Sequence, residues 1–298
     1  MRGLRDAPPG QGALLHGSDH YGRGGAALHT ISAIDIALWD IAGKLAGLPI
    51  CALLCPSPAQ AVAVYASELM PPTAAEAERL ARRIVDSGCR ALKLGWGPLG
   101  RDIRLDAELV LAARAGLGPD ASLMLDGGRA YTVESARDLL GRVESADLAW
   151  FEEPLAPDDL DGYRRLTEAT GVRITAGEAD SGTAPFRALA DRGISVLQPD
   201  LARCGGFSVG RELLELESED VEIVPHCFST GVLVAASLHL VAARERPWWS
   251  EYSVSGSPLV NGILEAPFAL EDGMLAVPSG QGLGIELDEG ELDRWRVL

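Results

Sequence analysis

The stretch LAWFEEPLAP, residues 148–157, begins as a buried apolar run and then presents two adjacent carboxylates, Glu152 and Glu153. A carboxylate that ends a buried segment must be solvated, paired or bound to a cation. Glu152 belongs to a series. Lys93, Asp126, Glu152, Glu178, Asp200, His226 and Glu251 follow one another at separations of 33, 26, 26, 22, 26 and 25 residues, each at or near the end of a strand-like run. Asp126, Glu152 and Glu178 close three successive runs. Brought together, three carboxylates repel unless a hard cation sits between them, and oxygen-only donors favour Mg²⁺ over zinc.

Lys93 flanks this trio on one side. Close to a cation in a partly dry pocket its pKa would be pushed down, which an arginine's cannot usefully be. It is one of two lysines among 26 basic residues. The other, Lys44, is four residues from Asp40 and reads as an exposed ion pair. On the far side, Asp200 beside His226 would fix the imidazole tautomer and raise its basicity, as a general base needs. Glu251, if protonated, could donate a hydrogen bond to developing negative charge. Glu153 alternates away from Glu152 and reads as a supporting acid. The chemistry is removal of a carbon-bound proton next to a carboxylate held by a divalent cation, with that cation stabilising the enediolate.

The elements that position these residues alternate. AVAVYAS, RALKLGW, SLMLD, LAWFEE, VRITAGE, ISVLQPD, VEIVPH and WWSEYS read as strands, with amphipathic runs such as TAAEAERLARRIVDSG, opened by a Thr73–Glu76 capping box, between them. Eight such units predict an α/β chain with a parallel sheet closed into a TIM-type (β/α)8 barrel over residues 57–253, all strand ends on one face. SAIDIALWDIAGKLAGLP reads as a helix capped by Ser32 and Asp35, with Ile34, Leu38, Ile41 and Leu45 as its apolar face, stopped by Gly47 and Pro49. It belongs to an amino-terminal unit, residues 1–56. Residues 254–298 hold turns, the strand-like GMLAVP and a polar tail, expected to pack back on that unit.

Composition narrows the function classes. A formal charge of −17 argues against nucleic acid and anionic membranes as partners. MRGLRDAPPG lacks the apolar core of a signal peptide, and the longest apolar stretch, GVLVAASLHLVAA, is too short for a bilayer. Five scattered cysteines without a CxxC pair suit a cytoplasmic setting and argue against disulfides or a zinc site.

Taken together, SAIDIALWDIAGKLAGLP, LMLD, WFEEP, AGE, QPDLARCGG and VPH resemble, in order, the motifs of the enolase superfamily, specifically its mandelate racemase branch, from about residue 22 to the end. The resemblance implies a modified (β/α)7β barrel, one Mg²⁺ on Asp126, Glu152 and Glu178, and an Asp200–His226 dyad as base or acid. It implies Glu251 as an electrophilic hydrogen-bond donor, a small carboxylic acid substrate and a homo-oligomer. Relatives that lactonise muconate or epimerise dipeptides place a lysine at the end of strand six, where this chain offers Asp200. Most members with the dyad dehydrate acid sugars and a few racemise 2-hydroxy acids.

Two departures bear on the reaction. The family usually carries Lys-x-Lys on strand two. Here Lys93 takes either the first place, with Gly95 second, or the second place, with Ala91 first. The second place allows bases on both faces of the substrate and racemisation; the first leaves His226 to work alone and favours dehydration. The family also begins with an α+β capping domain over the barrel mouth, of which this chain offers a truncated remnant. That predicts an open, wetter site and impaired turnover.

Two other readings remain. GWGPLG, residues 95–100, fits a dinucleotide fingerprint after a strand. A folded remnant that binds metal or oligomerises without catalysis is the non-enzymatic alternative. Trp96, Arg129, Tyr131 and Phe228 follow barrel strands and either line the pocket or serve packing.

Overall fold

A computed structural model of the chain describes residues 22–246 and 248–296, together with Leu14, Gly17 and His20. The start MRGLRDAPPG lies outside the described residues. Eight parallel strands form the centre: β1 (Ala61–Leu69), β2 (Ala91–Gly95), β3 (Ser122–Asp126), β4 (Leu148–Glu152), β5 (Ile174–Ala176), β6 (Val196–Leu197), β7 (Glu222–Ile223) and β8 (Trp249–Ser253). They pair in sequence order from β1 to β7, and β8 lies beside β1. Seven of the eight fall inside the runs that the periodicity predicts, and β1 runs two residues past the predicted AVAVYAS, to Leu69. Between β7 and β8 no ladder is formed among the described residues; the seam is crossed by the Cys227 N–H, which donates to Glu251 Oε2 at 2.6 Å.

Before the barrel lie α1 (Ala26–Ala46) and α2 (Ile50–Leu54). Seven helices join the strands: α3 (Ala74–Asp86), α4 (Ile103–Leu117), α5 (Val133–Arg142), α6 (Leu160–Ala169), α7 (Ala184–Ala190), α8 (Gly206–Leu214) and α9 (Gly231–Ala242). This is the (β/α)7β pattern. Short polar side chains start most of them, because the first N–H groups of a helix need acceptors. Thr73, Asp102, Thr132, Asp159 and Thr230 each accept from the first turn. At Thr73 the predicted box forms in altered shape: Glu76 takes the Thr73 hydroxyl proton at 2.6 Å.

Beyond β8 come α10 (Pro258–Asn261), β9 (Leu270–Glu271), β10 (Met274–Ala276) and α11 (Glu289–Arg294). β10, within the predicted GMLAVP, pairs antiparallel with the start of β1. Inside the barrel, Tyr65, Ala91, Met124, Trp150, Val196 and Val224 form an apolar plug. Trp150 meets Tyr65 edge-on at 5.3 Å and Trp249 at 5.6 Å. This plug is the floor of whatever lies at the strand ends.

The helix α1 departs from its sequence reading twice. It starts at Ala26 behind Gly25, so Ser32 and Asp35 are interior residues and cap nothing of their own helix. Its buried side is Leu28, Ile31, Ser32, Asp35, Ile36, Trp39 and Gly43, whereas Ile41 is 52% and Leu45 85% exposed. A helix this uniformly apolar has two candidate stripes, and polar contacts to α8 select the one carrying Asp35. By length and composition α1, and not residues 231–243, is the helix apolar enough to cross a bilayer, yet Ser32 and Asp35 dock it on the barrel. Gly47 ends α1 in the left-handed conformation, as predicted, and Lys44 meets Asp40 at 2.7 Å.

Residues 281–283 pack on this unit. Gly282 lies so close to α1 that a Cβ on Gly43 would stand 2.6 Å from its Cα. His239, fully buried on α9, accepts from the Cys51 N–H at 3.3 Å through Nδ1 and donates from Nε2 to the Leu283 carbonyl at 3.1 Å. Burial pushes its pKa down to about 4 from 6.5. A second proton would have to point at the Cys51 N–H. The unfolded chain therefore binds a proton that the folded chain refuses, and stability present above pH 6.5 is lost as the pH falls toward about 4. That step should be worth about 3 kcal/mol. Urea unfolding of the wild type and a His239→Gln variant across this window should give stability differences that converge as pH falls; parallel curves would refute it.

Candidate active site

The strands end on one face, and the seven ionisable residues meet there. Lys93, Asp126, Glu178, His226 and Glu251 line a single cleft of about 310 Å³. Glu152 lies beneath, bonded to Lys93, and Asp200 stands behind His226. All seven are buried. Charge packed this densely is tolerated only where each group finds a partner.

Lys93 donates to Glu152 Oε1 at 2.6 Å and meets Glu251 Oε1 at 2.9 Å, with its ammonium 5.5 Å from the centre of the Tyr65 ring. Burial draws its pKa down, but Glu152 and Glu251 outweigh burial and hold it well above the usual lysine value. This corrects the expectation of a depressed lysine: two buried carboxylates make Lys93 a fixed cation. Glu251 is corrected with it. Burial opposes its charge, yet Lys93 and His226 hold its carboxyl below the usual range, and it accepts from the Cys227 N–H. Here Glu251 is an acceptor and not a protonated donor.

Glu152 accepts from Gln198 Nε2 at 2.5 Å and from Trp150 Nε1 at 3.3 Å. Burial pushes its pKa to about 7, with Lys93 opposing and Asp126 and Glu251 adding to the rise. Asp126 accepts from Trp96 Nε1 at 2.9 Å and the Gly128 N–H at 2.8 Å, and burial raises its pKa. Glu178 is the opposite case. Burial is outweighed by His226, Lys93 and Arg203, which bring it down to about 2. It lies 3.0 Å from His226 Nε2 and 3.0 Å from Arg129 Nη2.

His226 is held from both sides, by Asp200 Oδ2 at 2.9 Å on Nδ1 and by Glu178 Oε2 on Nε2. Burial lowers its pKa, but Glu251, Asp200 and Glu178 raise it well above 6.5. Glu153 supports from behind as expected: it pairs with Arg129 Nε at 2.5 Å and accepts from the Gly177 N–H. Trp96, Arg129 and Glu153 all take left-handed backbone conformations, so strain is concentrated at three strand ends around the cleft.

Register sets the depth of Lys93 in the barrel: Gly95 pairs with Asp126, and Asp126 with Glu152, whereas Lys93 pairs with Met124 one step deeper. A Cβ at Gly95 would stand 2.4 Å from that of Asp126. Of the four loop residues, Trp96 and Phe228 line the cleft and Arg129 braces Glu178. Tyr131 turns away to Asp106 and Phe151.

Some contributors escaped the sequence reading. Gln198 lies two residues before Asp200, where strand alternation already points inward. Arg203 lines the cleft and reaches Asp200 Oδ2 at 3.2 Å; it follows Asp200 by three residues, which only a turn brings together. Tyr65 lies on β1, which the search for charged strand ends passed over. GWGPLG is a packing loop. A Cβ on Gly97 or Gly100 would strike Met70 or Ala130, and α4 starts three residues later with its own cap, Asp102.

Asp126 and Glu152 are direct cross-strand partners and Glu178 follows the next strand, so three hard oxygen donors stand on adjacent staves. After burial, like charge adds to the raised pKa of both Asp126 and Glu152, a crowding that a divalent cation would relieve. Their side chains are each turned to protein donors, and among the described residues no three His, Cys, Asp or Glu side chains are grouped to hold a metal ion. Donor type and strand position fit a hard cation; sharing one asks Asp126 to turn from Trp96 and Glu178 from Arg129.

Residues 76–291 match the enolase C-terminal domain-like family, and residues 18–55 match the mandelate racemase / muconate lactonizing enzyme N-terminal domain. The chain belongs to the enolase superfamily, in its mandelate racemase-like family. D-galactarolactone cycloisomerase of Agrobacterium fabrum is 33% identical over 293 residues, covering 93% of this chain and 76% of that protein. Among solved structures, the 3,6-anhydro-D-galactonate cycloisomerase of Zobellia galactanivorans superposes with a TM-score of 0.89 at 32% identity, over 96% of this chain and 80% of that one. A racemase of Streptomyces coelicolor with bound magnesium superposes at 0.87 with 29% identity, over 96% and 77%. These relatives of the superfamily are enzymes, named cycloisomerases and racemases.

Proposed function

We propose that the chain abstracts the proton next to the carboxylate of an acid sugar and expels the oxygen on the neighbouring carbon. Hydroxide as leaving group makes the reaction a dehydration; a ring oxygen makes it a ring-opening isomerisation, for which the two cycloisomerase relatives speak. The observation that carries the reading is the pairing of Lys93. Held by Glu152 Oε1 and Glu251 Oε1 with its pKa raised, it serves as a cation, which leaves His226, backed by Asp200, as the base in the cleft. A racemase needs a second base on the opposite face.

Asp126, Glu152 and Glu178 would hold Mg²⁺, which when bound supplies Lewis-acid stabilisation of negative charge on the substrate carboxylate. The rest falls to the chain. Lys93, cationic and anchored by Glu251, faces the substrate carboxylate from below. His226 takes the proton at Nε2 once Glu178 turns from it, while Asp200 holds Nδ1–H and so fixes the tautomer. The imidazolium that results returns its proton to the departing oxygen. Trp96 and Phe228 exclude water from the rim.

A panel of aldonates, aldarates and their lactones, incubated with the chain and Mg²⁺ in D₂O and followed by NMR, tests this. The expected product is a 2-keto acid that has lost its β C–O bond and carries deuterium on the carbon that bore it. Epimerised substrate without elimination would make it a racemase. No conversion despite Mg²⁺ binding would favour the non-catalytic remnant.

A further inference from the structure

The buried polar face of α1 grips the turn that carries Asp200. Ser32, Asp35 and Trp39 lie on one side of the helix, all buried. Ser32 Oγ accepts from the Gly205 N–H at 2.9 Å. Asp35 Oδ1 accepts from the Ser208 N–H at 3.1 Å, and its Oδ2 accepts the Ser208 hydroxyl at 2.5 Å. Trp39 Nε1–H donates to that same hydroxyl at 3.0 Å. None of these contacts follows from helix propensity, and together they account for polar residues on the inner face of an apolar helix.

What they hold is the start of α8. Its N-cap, Gly205, has no side chain to accept from the first-turn N–H groups. Asp35, 173 residues earlier in the chain, brings a carboxylate to that positive helix end instead. Gly205 and Gly206 take φ of 122° and 75°, and a Cβ on Gly206 would stand 2.2 Å from Asp35 Oδ1. The glycine pair of QPDLARCGG is thus the imprint of the contact. From there the turn runs straight back to the dyad. The Cys204 N–H donates to the Asp200 carbonyl at 2.8 Å, and the Ala202 N–H to Asp200 Oδ1 at 2.7 Å.

We propose that Asp35 is a positioning residue for the Asp200–His226 pair: through Ser208 and the N-terminus of α8 it fixes where the Asp200 carboxylate meets the imidazole. No hydrogen bond of α1 among the described residues reaches Asp126, Glu152 or Glu178, so its loss acts first on the dyad. The turnover readout below rests on the proposed function; the spectroscopic one does not.

The test compares wild type with Asp35→Asn and Ser208→Ala, both labelled with ¹⁵N-histidine. In Asp35→Asn a carboxamide N–H₂ replaces the oxygen that accepts the Ser208 hydroxyl proton, so that hydroxyl loses its acceptor at constant volume. The His226 ring N–H bonded to Asp200 is assigned by its loss in His226→Asn. In Asp35→Asn this proton should exchange with water about tenfold faster, and kcat should fall about 10- to 100-fold with KM nearly unchanged. Circular dichroism and Mg²⁺ affinity should stay as in the wild type. Ser208→Ala removes only the hydroxyl and should show the same pattern more weakly, which keeps the test alive if Asp35→Asn folds poorly. Unchanged ring exchange and kcat in a folded Asp35→Asn protein would overturn the proposal, as would equal losses of Mg²⁺ affinity and kcat. If the wild type turns over no acid sugar, the proposed function fails, and ring N–H exchange alone still decides the role of Asp35.

Discussion

Replacing His226 by asparagine should abolish proton abstraction while leaving the fold in place. General base catalysis contributes roughly 10²–10⁴-fold, and turnover of any elimination substrate should fall by at least that range. Exchange of the hydrogen next to the carboxylate for deuterium in recovered substrate should fall in step, because His226 is the base that breaks that C–H bond. An amide still reaches Asp200, so the variant should fold. One stability signature accompanies the loss. Glu178 is held down to about 2 from a usual 4.5, chiefly by His226. A depressed carboxylate contributes stability that is present above pH 4.5 and is lost as the pH falls toward about 2. Without the imidazolium that contribution shrinks, and acid unfolding should move to higher pH. Retained deuterium exchange in a folded His226→Asn protein would place the base elsewhere.

Lys93→Met should be the most destabilising single change at the site. It removes the one cation between Glu152 and Glu251, each 1% exposed. Breaking a buried ion pair by deleting one member costs about 3–5 kcal/mol, since the abandoned charge has no solvent to turn to. The carboxylates can escape by taking protons, and that sets the pH dependence. With lysine gone their folded pKa values rise above the unfolded ones, so stability is lost as pH rises and regained as it falls toward about 4.5. Urea unfolding of the variant should give a deficit that is largest near neutral pH and above, and narrows on acidification. A deficit independent of pH would mean that lost packing over Tyr65, and not stranded charge, is the cause. The wild-type lysine behaves in the reverse sense. Its raised pKa contributes stability present below pH 10.5 and lost as the pH climbs through the higher folded value.

Both variants act on residues that the spacing of strand ends had already singled out. Alternating strand and helix runs imply parallel strands, and parallel strands bring their carboxyl ends to one face whatever the details. Lys93, Asp126, Glu152, Glu178, Asp200, His226 and Glu251 could therefore be named from spacing and residue type. Glu153 could be set apart from Glu152 because alternation along a strand is a local property. The start of α1 was misjudged for an equally physical reason. Ser32 and Asp35 look like a cap to anything that reads only neighbours, and the groups that donate to them lie 173 residues away. The apolar stripe of Ile34, Ile41 and Leu45 was as good as its rival until α8 supplied polar partners for the other side.

By itself the sequence determined the barrel, its strand ends and the chemical types gathered there, because these follow from local periodicity and from the geometry of parallel sheets. The charge state of those groups was decided only by tertiary structure. Lys93 is a fixed cation, Glu251 an ionised acceptor and Glu152 a carboxyl raised to about 7 because of which buried charges lie within a few ångströms. Register likewise placed Lys93 below the acids and Gly95 among them, since pairing between strands is not written in either strand alone. Electrostatic energy depends on distance and burial, and both are properties of the folded chain.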